Sequence, residues 1–160
     1  MSGQIVVGVD GSDESKAALR FALEEAKLRG VRLACVHAWA YPVLSDATGL
    51  AAGIAADLAA RLRDDAEELL GSIVDEVAGT SPGVEIVRSV AEGSAASVLL
   101  AAAEGADLLV VGSRGLGGFK GLIIGSVSHQ CASHATCPVV IVPHGVARGK
   151  QPVSPVDPLP

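Results

Sequence analysis

The chain has 160 residues, 18 acidic and 12 basic side chains and a formal net charge of −6; 49% of its residues are hydrophobic, yet only 2% are aromatic. That length fits one domain with a proper core, which Ala, Val and Leu must fill, and the hydrophobic share excludes intrinsic disorder over most of it. The acidic balance and scarce aromatics argue against nucleic acid, and no apolar run suggests a membrane span or a signal peptide, so a cytoplasmic protein is expected.

Strand and helix signals alternate along the chain. Residues 5–9 are a β-rich run that breaks at Asp10-Gly11. Ser12 can cap a helix whose apolar stripe is Ala18, Leu19, Ala22, Leu23 and Ala26 and which ends at Gly30. Residues 31–38 form a second strand, and a loop with Trp39, Tyr41, Pro42 and Gly49 leads into a long helix. Its expected stripe is Ile54, Leu58, Leu62, Leu69, Ile73 and Val77, with Asp64, Asp65, Glu67 and Glu68 on another face. Pro82-Gly83 turns the chain into a third strand over 84–90, and Gly93-Ser94 opens a short helix that stops at Gly105. A fourth strand over 108–111, a helix over 126–135 capped by Ser126, and a fifth strand over 138–142 complete the pattern. From His144 four prolines and no periodicity predict a disordered tail, 144–160, beyond a single domain at 1–143.

Five strands alternating with four helices predict an α/β fold: one open parallel sheet with helices on both faces. The strand order 3-2-1-4-5 would bring Asp10-Gly11 and the loop after strand four to one crevice; the flavodoxin-like order stays open on periodicity alone. Cys35, Cys131 and Cys137 form no CxxC pair and read as small core residues. His37, His129 and His134 lack metal-ligand spacing and read as structural or surface residues.

The segment carrying most information is 107–128, DLLVVGSRGLGGFKGLIIGSVS. A strand breaks at Gly112, glycines at 115, 117, 118 and 121 follow, and a helix begins after Gly125. Such a loop leaves backbone N–H groups uncovered, and the following helix adds free N–H groups and its positive dipole end. No Asp or Glu lies between Asp107 and Asp157, while Arg114 and Lys120 lie in the loop. The first helix, by contrast, carries Asp13 and Glu14 in its first turn, which already answer its dipole. A phosphate therefore belongs at Ser126 and not at Ser12. The chain has no GxxxxGK[ST], and Lys120 stands where a GxGxxG starting at Gly115 needs its third glycine.

What fits is G-x2-G-x9-G-S, made by Gly112, Gly115, Gly125 and Ser126, together with VGVDGS from Val7 and CPVVIVP from Cys137. In this order and at these intervals the chain resembles the universal stress protein family, in its ATP-binding branch, over residues 4–143. The resemblance implies that Gly112 and Gly115 approach ribose and phosphates, while Gly125, Ser126 and Val127 close over the β- and γ-phosphates. Gly8 and Asp10 would line the adenosine, Ala38 would offer backbone groups to adenine, and Val111 would touch the nucleoside. The turn reading of Asp10 with Gly11 competes with that ligand role, and Arg114 is either a phosphate contact or a solvated charge. The implied cofactor is ATP, with or without Mg2+, and the implied partner is a second copy paired through the apolar edge strand Val139–Val142. The expected role is a nucleotide-dependent sensor or regulator in stress response, not an enzyme. The alternatives are an adenine-nucleotide enzyme (a nucleotidyl transferase or slow ATPase) and a dimeric scaffold for another adenine nucleotide such as cyclic AMP.

Overall fold

A computed structural model gives the fold and describes residues 3–41, 51–116, 124–143 and 145, with the side chains of 51 and 52 excepted. The elements run β1 (Gln4–Gly8), α1 (Asp13–Arg29), β2 (Arg32–Trp39), α2 (Ala51–Ala78), β3 (Ile86–Glu92), α3 (Ala95–Ala102), β4 (Leu108–Gly112), α4 (Ser126–His134) and β5 (Val139–Val142). All neighbouring strands pair in parallel, in the order β3-β2-β1-β4-β5. β1 therefore lies between β2 and β4, which excludes the flavodoxin-like order. Pro42, Gly49, Gly117, Gly118, Lys120, Gly121 and the expected tail from His144 lie outside the described residues, Gly145 excepted.

The two-residue period of the strands divides their side chains between two cores. Ile5, Val7, Leu33, Cys35, Leu108 and Val110 pack with residues of α1 and α2. Val6, Ala34, Val36, Leu109 and Val111 pack with Leu99 of α3 and Cys131 of α4. Strands covered on both faces must be apolar at every position, which is why β1 and β4 read as unbroken Val/Ile/Leu runs. Burial pushes the Cys35 thiol up to about 12 despite nearby Arg88, and raises Cys131 and Cys137 as well. All three remain free thiols.

α1 forms where its signals predict. Ser12 accepts a hydrogen bond from the Ser15 N–H, Gly30 closes the helix in the left-handed region at φ 65°, and the expected stripe is buried. α2 departs from expectation. Ala66, Leu70, Ile73 and Val74 form its buried face, whereas Leu69 is 40% and Ile54 65% exposed. Leu69 and Leu70 are 100° apart on the helix, so only one can face the sheet. Leu70 does so because Ala66, Ile73 and Val74 are its i±3 and i±4 neighbours.

Candidate functional site

β1 leads into α1 on one face of the sheet and β4 leads towards α4 on the other, so the chain parts between two adjacent strands. Open α/β sheets bind ligands where this happens, beyond the carboxyl ends of the strands. A cleft of about 570 Å³ lies there, and Gly8, Asp10, Ala38, Val111, Gly112, Arg114, Gly115, Gly125, Ser126 and Val127 all line it. Val9, Ser15, Val36, His37, Leu69, Ala95, Leu99, Leu116 and Ser128 line it too, and the sequence did not point to them. Most of these are strand-end and helix residues whose apolar pattern signals core, and nothing in the pattern says that the core opens here.

Several glycines of the site are required by packing. A Cβ on Gly112 would lie 2.8 Å from Glu14 Cβ and 2.9 Å from its carbonyl carbon, because the end of β4 rests on the first turn of α1. A Cβ on Gly8 would lie 2.9 Å from Leu99 Cδ1, and one on Gly115 2.5 Å from Asp10 Oδ2. Gly11 takes φ 89°, which suits the turn between β1 and α1.

Asp10 makes the turn expected of it and also reaches the glycine loop. Its Oδ1 accepts from the Ser12 N–H at 2.9 Å and from the Ser12 hydroxyl, which fixes the turn. Its Oδ2 accepts from the Leu116 N–H at 3.2 Å, which ties the glycine loop to β1. Arg114 Nη2 stands 3.5 Å from Glu14 Oε1, so its charge is partnered at the cleft wall. A guanidinium has five donors, and this contact leaves others for an anion. Neither carboxylate is presented to a divalent cation, and among the described residues no group of His, Cys, Asp and Glu could hold a metal. A Mg2+ ion here would have to be carried by nucleotide phosphates and water.

The start of α4 is the most unusual feature of the cleft. Gly125, and not Ser126, is the N-cap; it has no side-chain capping bond, and the first turn contains no acid. α1 and α3 are capped by Ser12 and Ser94, which accept from Ser15 N and Ser97 N. In α4 the Gly125 N–H donates to Ser113 O at 2.6 Å. The Ser128 hydroxyl, which could have turned back to cap, donates to that same carbonyl at 2.9 Å. The Ser113 carbonyl thus staples the end of β4 to the start of α4. By helix geometry the leading N–H groups have no intrahelical partner, and Ser126 and Val127 line the cleft. Uncapped N–H groups and a positive dipole end with no acid in the first turn are the arrangement that favours an anion.

A universal stress protein family model matches residues 1–143. Universal stress protein Rv2623 of Mycobacterium tuberculosis is 36% identical over 137 residues, covering 86% of this chain and 44% of that protein. A universal stress protein of Mycolicibacterium smegmatis is 34% identical over 141 residues, covering 86% and 45%. The chain thus spans less than half the length of these relatives. Universal stress protein UspA from Lactobacillus plantarum has the same fold, with a TM-score of 0.72, 22% identity and coverage of 88% of this chain and 97% of that one. A universal stress protein solved in complex with cAMP aligns at a TM-score of 0.63 and 29% identity, covering 88% and 96%. One from Archaeoglobus fulgidus in complex with dAMP aligns at 0.60 and 25%, covering 88% and 97%. With its family match spanning both strand-one turn and glycine loop, the chain belongs to the universal stress protein family.

Proposed function

We propose that the chain binds an adenine nucleotide in the cleft between β1 and β4, with ATP as the first candidate, and works as a nucleotide-dependent regulator. The observation that carries this is the uncapped, acid-free start of α4, which opens into the cleft beside Arg114. The apolar wall made by Val9, Val36, Leu69 and Leu99 suits a base and ribose, and about 570 Å³ lies within the range of small-molecule sites. The relatives solved with cAMP and dAMP support an adenine ligand. Phosphates would meet the Ser126 and Val127 N–H groups and the spare donors of Arg114. Gly8 and Ala38 would flank the base, while Asp10 would hold the loop.

Regulation is favoured over catalysis because, among the described residues, no general base stands beside a nucleophile. Asp10, the carboxylate lining the cleft, spends both oxygens on Ser12 and Leu116. The partner is a second copy paired through β5 in the cytoplasm. Titration calorimetry of the purified protein with ATP, AMP and cAMP tests the reading. Micromolar binding of at least one supports it, and no binding of any of them refutes it.

A further inference from the structure

One polar side chain in the apolar part of the cleft has a vacant hydrogen-bonding atom. His37 lies on β2, half-buried, and lines the cleft beside Val36 and Ala38. Its Nδ1 lies 2.7 Å from the carbonyl oxygen of Val9. A carbonyl can only accept, so Nδ1 carries the hydrogen and donates, and in the neutral ring Nε2 is a bare acceptor. Nε2 has no partner among the described residues and is not sealed from solvent, unlike the buried Tyr41 hydroxyl.

The surroundings leave that acceptor for a ligand. The charged side chains lining the cleft are Asp10, whose oxygens hold Ser12 and Leu116, and Arg114, which faces Glu14. Across the sheet the register neighbour of His37 on β3 is Val90, and α2 contributes Leu69 to the cleft; both are apolar. On the β2 wall of the cleft His37 is the polar side chain a base would meet, and its free ring nitrogen accepts.

We propose that His37 is a specificity-determining residue: its Nε2 accepts a hydrogen bond from the exocyclic amino group of adenine and rejects purines with a carbonyl at that position. This rests on the adenine-nucleotide reading above. The Nδ1–H bond to Val9 is what makes the selection one-sided, because it fixes the tautomer that leaves Nε2 without a hydrogen. A 6-oxo purine sets a lone pair against that lone pair, and a desolvated mismatch of this kind costs more than a missing contact.

The test compares ATP with ITP, which differ in the base edge and not in the phosphates. Wild type should bind ATP at least about tenfold more tightly than ITP. In His37→Asn the side-chain amide N–H replaces the donor to Val9, but nothing replaces Nε2. The ratio should fall to near one, through weaker ATP binding and tighter ITP binding as the lone-pair clash is removed. If the variant does not fold, 15N spectra of wild-type histidine decide: ATP should shift the His37 Nε2 resonance and ITP should not. A ratio near one in wild type, a ratio preserved in His37→Asn, or an Nε2 signal indifferent to ATP overturns the assignment while nucleotide binding stands. Failure of wild type to bind ATP, ITP and AMP overturns both.

Discussion

Ser126→Asp separates the stability of α4 from its function, because the two should move in opposite directions. Ser126 is exposed and is the first helical residue of an uncapped helix with no acid in its first turn. A carboxylate there meets the positive dipole end and three unbonded N–H groups, a favourable placement worth roughly 0.3–1 kcal/mol. For a domain of this size that raises Tm by about 1–4 °C. The same carboxylate would stand within about 4 Å of a bound phosphate. At an effective dielectric constant near 20, repulsion between unit charges at that distance is about 4 kcal/mol. Allowing for screening in an open cleft, ATP affinity should still fall at least about a hundredfold. Thermal unfolding without ligand and calorimetry with ATP read the two effects on one sample. Ser126→Ala is the control; it keeps the N–H, removes the hydroxyl and should lose about tenfold at most. A Ser126→Asp protein that is as stable as wild type or more so, yet binds ATP with wild-type affinity, would refute the phosphate assignment.

Gly112→Ala should cost about 1–3 kcal/mol, because its Cβ meets Glu14 Cβ at 2.8 Å and a backbone carbon at 2.9 Å. Gly8→Ala meets only the movable end of Leu99, so equal losses of Tm in the two variants would contradict this packing account. At the β5 edge, the Pro138 and Val142 carbonyls accept from Leu109 and Ser113, so even-numbered residues bond to β4 and the Ile141 N–H points outward. Ile141→Pro should therefore give monomers in sedimentation while keeping the β4 ladder; a monomeric wild type or a dimeric variant would place the contact elsewhere. Burial holds the Cys35 thiol protonated to about 12 against an ordinary 9.0, so above pH 9 the unfolded chain releases a proton that the folded chain keeps. Stability should fall by about 1.4 kcal/mol per pH unit from 9 towards 12, and urea unfolding should show Cys35→Ala free of that share of the slope.

The fold is legible in the sequence where burial leaves one option. β1 and β4 are covered on both faces, so every residue from Ile5 to Val7 and from Leu108 to Val111 is buried and apolar. Strand order is less legible, because the doubly wound and flavodoxin-like orders draw on the same alternating pattern. The face of α2 was misread at two adjacent leucines whose spacing to their neighbours allows either to face inward. The N-cap of α4 was misread for a similar reason. A serine beside a glycine is the usual capping residue, but here Gly125 is held by its own N–H to Ser113 O, and Ser126 is left for the cleft. His37 could not have been read from spacing. Its meaning depends on the Val9 carbonyl, 28 residues away along the chain.

Charge shows the same dependence on space. The stretch after Asp107 contains no carboxylate as far as Asp157, and that absence points to an anion site. The fold nevertheless brings two carboxylates to its glycine loop, Asp10 onto the Leu116 N–H and Glu14 beside Arg114. Both come from the β1–α1 side, and each is turned onto donors and not into the path of a phosphate. The opposite wall is α4, where no acid lies in the first turn and the serine hydroxyl that could have capped it is bonded to Ser113 O. The loop is thus anchored by negative charge on one side and open to it on the other. On the proposed reading, an anion entering the cleft would find backbone donors at the second wall, the carboxylates being spent at the first.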